Sequence, residues 1–319
     1  MSKYLIGVDI GGTTVKIGII STTGEIIDKW EIATNKGAMA DRIPNDIWDA
    51  ITDKLAIHQI EKQQILGIGA GAPGFVVADS GDIAEAVNLG WRDFPLGRIL
   101  TDLSGLPVYV DNDANIAALG ENWLGSGQLA DHLIAITLGT GVGGGIIVDG
   151  KIVSGVNGTA GEIGHMTIER DGAPCNCGRR GCLETIASAT GIARIATEKV
   201  KKTKHSTLTN ILKENKILTA KNVFEAAAQG DPCANEVITE VVDVLAFAIS
   251  NVATVINPSK IVIGGGVSKA GDQLLIPLKN AYQRYALPRI SEGSTFAIAT
   301  LGNDAGIIGA AFLVKQHQS

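Results

Sequence analysis

A glycine turn that joins one strand to another occurs twice in this chain, and no other feature limits its fold as much. Residues 4–8 read as a short apolar strand, residues 9–14 (Asp-Ile-Gly-Gly-Thr-Thr) as a turn, and residues 15–20 as a second strand rich in β-branched side chains. A turn over 21–24 leads into a third strand around Ile26 and Ile27. The same order returns later: strand 133–138, glycine-rich turn 139–145, strand 146–148, then the hairpin pair Asp149-Gly150 and a strand over 151–153. The copies start about 128 positions apart, which predicts a duplicated domain with both glycine turns facing the cleft between the halves. A Rossmann or Walker loop must open a helix, whose N-terminus receives phosphate. Here the loop leads into a strand, so both of those nucleotide folds are excluded.

Between the copies, helical and strand patterns alternate, which predicts an α/β fold. Ile43, Ile47, Ile51 and Leu55 fall on one helical face ahead of a strand over 65–70. A strand over 107–110 ends at Asp111-Asn112-Asp113, where a helix carrying Ala117, Ala118 and Leu119 begins. Asp231-Pro232 opens a long helix through Val241, Leu245 and Ile249, followed by a strand over 260–263, the glycine run 264–266 and a further helix. Asp304 is expected to cap a final helix through Phe312. A length of 319 residues suits two domains. We expect an N-terminal domain over 1–115, completed by the last helix over 303–319, and a larger C-terminal domain over 116–302.

The formal net charge is −6 and no long basic run occurs, so a nucleic-acid partner is not expected. The most basic stretch, 199–204, reads as solvated surface. The N-terminal run is broken by Asp9, so neither a signal peptide nor a membrane anchor is expected from it. Three of the four cysteines are bunched, which points to a reducing, cytoplasmic setting; Cys233 stands apart as a small helix residue.

His165, Cys175, Cys177 and Cys182 supply the one nitrogen and three sulfurs of a closed, structural zinc site within 165–182, and Gly178 and Gly181 allow the chain reversal it needs. The alternative is three reduced, unliganded thiols. Glu162 and Glu184 flank this knuckle, where a metal clamp would aim both into one pocket; otherwise they are surface acids. At the end of a strand, Asp113 can take a proton from a substrate hydroxyl and Asn112 can hold a polar ligand. The same residues also make good turn and cap formers. The glycine turns, with Thr13, Thr14 and Thr140, present backbone N–H groups as anion sites; Lys16 can reach a phosphate and Asp9 can hold magnesium through water. Taken together they suggest a nucleoside triphosphate lying between two related domains.

Several segments resemble, in order, the ROK family of repressors, open reading frames and sugar kinases. They are Asp9-Ile10-Gly11-Gly12-Thr13, Asp111-Asn112-Asp113-Ala114-Asn115, the run from Leu138 to Gly145, Gly161-Glu162-Ile163-Gly164-His165, and Cys175, Cys177, Gly178, Gly181, Cys182 and Glu184. Asn88-Leu89-Gly90-Trp91 and the run from Glu184 to Gly191 look most like the bacterial glucokinases within it. The resemblance implies an actin-like, hexokinase-type (ribonuclease H-like) duplicated fold with two domains flanking a cleft and a zinc knuckle. It implies ATP-dependent phosphorylation of glucose, with Asp113 as base and Asn112, Glu162, His165 and Glu184 on the sugar hydroxyls, joined by Gly74 and Asn88. Gly11, Gly12, Thr13, Thr14, Thr140 and Gly141 resemble the phosphate turns, and Gly265 and Gly266 the adenosine contact. Family repressors carry an N-terminal DNA-binding motif, whereas this chain opens on its first strand. A kinase for fructose, N-acetylmannosamine or another hexose, and a non-catalytic sugar sensor, are the alternatives. A homodimer is the expectation from base rates alone.

Overall fold

Residues 4–10 are apolar enough to be buried on both faces, and such strands sit at the middle of a sheet. In the computed structural model, which describes residues 2–35, 37–77, 79–203 and 205–318, this segment is the central strand of its sheet. The N-terminal half contains β1 (Tyr4–Ile10), β2 (Thr14–Ser21), β3 (Ile26–Ala33), α1 (Ile43–Ile57), β4 (Ile65–Ala72), β5 (Phe75–Val77), β6 (Asp82–Ala86), β7 (Trp91–Phe94), α2 (Leu96–Ser104), β8 (Val108–Asn112) and α3 (Asp113–Trp123). The rest contains β9 (Leu133–Leu138), β10 (Val142–Val148), β11 (Lys151–Ile152), α4 (Glu184–Ala187), α5 (Ala189–Val200), α6 (Thr207–Asn215), α7 (Ala220–Ala228), α8 (Pro232–Ile256), β12 (Lys260–Gly264), α9 (Asp272–Tyr285), α10 (Pro288–Gly293), β13 (Thr295–Ile298) and α11 (Ala305–Gln318).

The duplication is explicit in the strand order. Among the described residues one sheet runs β3-β2-β1-β4-β8 and another β11-β10-β9-β12-β13. In each, the first three strands in the chain pair antiparallel and the last two join in parallel. The helices that follow the last strand of each sheet, α3 and α11, pack against each other between the halves.

Glycine permits that approach. A Cβ at Gly120 or Gly309 would overlap a backbone carbonyl of the opposite helix, at Ala305 and Ile116 respectively. One at Gly7 or Gly69 would strike the α11 carbonyls of Ile307 or Ala310, so α11 lies directly on β1 and β4. Much of the glycine excess therefore serves close packing. This also corrects the expected turn over 139–145. Only 139–141 turn; Gly143, Gly144 and Gly145 lie within β10, where a Cβ would meet Ala114, Ala118 or the Gly161 carbonyl.

Other boundaries move as well. Asp9 and Ile10 belong to β1, Thr14 to β2, and Asp111 and Asn112 to β8. Asp304 ends a short 3₁₀ turn before α11, and its carboxylate takes an ion pair from Lys29 at 2.7 Å. The small sheet β5-β6-β7 was not anticipated; its short strands are part polar and interrupted by turns. Lys199 reaches Glu240 at 3.1 Å, Lys201 and Lys202 are exposed, and Lys204 lies outside the described residues. By length and composition α8 could cross a membrane, but its Val237, Val241, Leu245 and Ile249 are buried in the core of the C-terminal half.

Candidate active site

The parallel strands β4 and β8 and the turn of β9-β10 open toward one another, and between them lies a cleft of about 740 Å³. From the N-terminal half Asp9, Lys16, Gly74, Asn88, Asn112 and Asp113 line it. From the other half come Thr140, Gly141, Glu162, His165, Glu184 and Gly265. Gly11, Gly12, Thr13 and Thr14 do not line this cavity, although Gly12 lies beside Asn88. Their turn is drawn onto the end of β3, with Thr34 donating from Oγ1 to the Gly11 carbonyl at 2.7 Å and from N to that of Thr13 at 3.0 Å. Gly266 lines a neighbouring cavity of about 840 Å³ with Ala189, Thr219, Lys221 and Phe224. Sequence reasoning missed Gly302, Asn303 and Gly306, which bring the start of α11 to the cleft; the breaker run Gly302-Asn303-Asp304 was the available signal.

Asp113 is the first residue of α3, so it stands where the helix dipole favours an anion. Water reaches it through the cleft mouth, yet protein surrounds the carboxyl elsewhere. The lost hydration pushes its pKa up to about 6, against the lowering effect of the Ala114 N–H and with added repulsion from Asp9 and Glu162. The preceding residues hold it in place. Buried Asp111 accepts from the Asn112 N–H and from Asn115 Nδ2, both at 2.7 Å. Asn112 accepts the Ala114 N–H at Oδ1 (2.8 Å), capping α3, and donates from Nδ2 to the Gly74 carbonyl (2.9 Å). Asn112 is thus cap and tether, with one amide hydrogen left for a ligand.

Three further carboxylates face the cleft. Burial raises the pKa of Asp9, offset in part by Lys16, whose Nζ lies 4.0 Å away. Burial also raises Glu162, which His165 lowers and Glu184 raises further. Glu184 accepts the Val142 N–H at Oε2 (3.1 Å), and Cys175 Sγ approaches its Oε1 at 3.5 Å.

The knuckle ligands meet in space. Donor atoms of His165, Cys175, Cys177 and Cys182 all lie within 4.8 Å of one another. Cys175 Sγ is 3.6 Å from His165 Nδ1, and Cys177 Sγ is 3.6 Å from Cys182 Sγ. A tetrahedron with Zn–S bonds of about 2.3 Å has S···S edges of about 3.8 Å, so the donor set and its spacing fit that ion. Arg179 donates to the His165 carbonyl at 2.6 Å, a brace the sequence did not signal.

Comparison with known proteins agrees with this architecture. The ROK family profile matches residues 5–317. The chain is 56% identical to a glucokinase of Halalkalibacterium halodurans over 318 residues, 99% of this chain and 96% of that protein. It is 36% identical to a glucokinase of Thermotoga maritima, covering 98% of each. A ROK family glucokinase from Streptomyces griseus, solved in complex with glucose and AMPPNP, superposes with a TM-score of 0.75 at 35% identity, over 98% of this chain and 99% of that one. With a whole-chain family match on a duplicated fold, the protein belongs to the ROK family.

Proposed function

We propose that this chain transfers the γ-phosphoryl group of ATP to the 6-hydroxyl of glucose, with Asp113 as general base. The placement of Asp113 carries this assignment: it heads α3 in the cleft between two equivalent sheets, with a pKa raised to about 6. Such a carboxylate is ionised at neutral pH and still basic enough to accept a hydroxyl proton. The sugar oxygen attacks the γ-phosphorus as its proton passes to Asp113, the bond to the β,γ-bridging oxygen breaks, and ADP leaves. Glucokinase relatives, one of them solved with glucose and AMPPNP, support the same pair of substrates.

Asn112, Glu162, His165 and Glu184 hold the sugar hydroxyls, with Gly74 and Asn88 at the edge of the pocket. The turn at 139–141 takes the phosphates with Lys16; the turn at 11–14, outside the open cavity, meets them only as the halves close. Gly265 and Gly266 lead the adenosine toward the second cavity. Asp9 would hold magnesium through water, and magnesium would offset phosphate charge. Cys175, Cys177, Cys182 and His165 Nδ1 would hold a structural zinc, which locks the backbone carrying Glu162 and Glu184. With Nδ1 so engaged, Nε2 carries the ring hydrogen and donates to a sugar hydroxyl. Sugar binding draws the half built on β1, with α11, toward the half built on β9 and excludes water. The enzyme works in the cytoplasm, as a homodimer. An assay of ADP release across hexoses and phosphoryl donors tests the assignment. Glucose with ATP should give the highest kcat/KM; preference for fructose or N-acetylmannosamine, or no turnover, overturns it.

A further inference from the structure

The segment that leaves the cysteine cluster returns to the glycine turn and grips it at three points. Glu184 Oε2 accepts the Val142 N–H at 3.1 Å, the Ala189 N–H donates to the Gly139 carbonyl at 2.8 Å, and Thr190 Oγ1 donates to the Thr140 carbonyl at 2.8 Å. These peptides are trans, and in a trans peptide the carbonyl and the following N–H point in opposite directions. Holding the Gly139 and Thr140 carbonyls toward α5 therefore turns the N–H groups of Thr140 and Gly141 the other way. Neither N–H has a protein acceptor among the described residues, and all three turn residues line the cleft. The Glu184 carboxylate lies directly against Gly141, so a Cβ there would have to push that side chain aside.

We propose that Thr190 is a positioning residue for phosphoryl transfer: its hydroxyl fixes the Thr140 peptide so that the Gly141 N–H faces the nucleotide phosphates. This rests on the reading of 139–141 as a phosphate turn. Thr190 itself need not touch either substrate. It is exposed. Its Oγ1 also lies 2.9 Å from the Oγ of Ser188, but Ser188 caps α5 through the Gly191 N–H and donates to the Glu184 carbonyl without it. Loss of the Thr190 hydroxyl therefore leaves the cap in place and acts chiefly on the turn. Through Glu184 the same bracket joins the sugar side of the cleft to Val142.

Thr190→Val removes the hydroxyl at similar volume, and Thr190→Ser keeps it. Calorimetry with AMPPNP and with glucose, together with kcat and KM for ATP, reads the effect. Thr190→Val should weaken AMPPNP and raise the KM for ATP about 3- to 10-fold, as expected for one neutral hydrogen bond. Glucose affinity and Tm should hold, and Thr190→Ser should restore nucleotide affinity. Wild-type AMPPNP affinity in Thr190→Val, equal loss of glucose and nucleotide, or no rescue by serine overturns the proposal. Gly141→Ala separates the two readings. If it leaves AMPPNP affinity unchanged, the turn is not the phosphate site; if it weakens AMPPNP while Thr190→Val does not, only the role of Thr190 fails.

Discussion

The Asn112 side chain spans from the start of α3 to the turn that begins the small sheet, donating to the Gly74 carbonyl at 2.9 Å. Gly74 has φ +95°, and a Cβ there would overlap the Glu85 carbonyl, so the turn cannot be built from another residue without displacing β6. One side chain therefore sets both the helix that carries Asp113 and the wall of the cleft opposite. Asn112→Ala should lower stability by about 1–2 kcal/mol through the lost cap, read by urea denaturation, and should raise the KM for glucose. Asn112→Asp keeps the cap acceptor and should retain more of the stability while still losing the tie to Gly74.

Asp113 must be ionised to accept a proton, and its carboxyl is raised from the ordinary 3.8 to about 6. Falling pH therefore protonates it and switches the base off; rising pH leaves it active. The kcat/KM for glucose should be flat near pH 7.5 and fall tenfold per unit below about 6. A profile that stays flat down to pH 4.5 would exclude Asp113 as the titrating base.

Elemental analysis of purified protein should find about one zinc per chain. Cys177→Ser, or prolonged chelation, should lower Tm and abolish glucose binding, because the backbone that carries Glu162 and Glu184 loses its clamp. Metal-free protein that binds glucose normally would remove the structural role of the ion.

Gly309 faces the Ile116 carbonyl so closely that a Cβ there would overlap it. Gly309→Ala should force α11 away from α3 and destabilise the protein by more than about 2 kcal/mol, despite the better helix propensity of alanine. A stabilised variant in thermal denaturation would show that the contact between these helices is loose.

The parts of this fold that local order encodes were legible in the sequence. Strand, glycine turn and strand follow one another directly in both copies, and the Cys175 to Cys182 spacing brings the metal-ligand candidates together as expected. What depended on partners distant in the chain was not. Gly143 to Gly145 look like a turn in one dimension because glycine serves both sharp bends and close approach; only the neighbours Ala114 and Ala118 reveal which. That the last helix returns to the N-terminal half was expected, and it packs on β1 and β4; that its contact with α3 brings Gly302, Asn303 and Gly306 to the cleft was not. For Asn112 the sequence allowed both cap and ligand contact, and the structure shows the cap in use. Thr190 carries no motif of its own; its hydrogen bond to the carbonyl of Thr140 exists only once α5 has folded against the turn.

The central claim is that Asp113 takes the proton from glucose in this cleft. Single-turnover phosphoryl transfer at saturating glucose and ATP, compared between the wild type and Asp113→Asn, tests it most directly. Transfer should slow by about 10²–10⁴, while the calorimetric affinity for glucose stays within about threefold, since asparagine keeps the shape of the site. A rate near that of the wild type in Asp113→Asn would contradict the account.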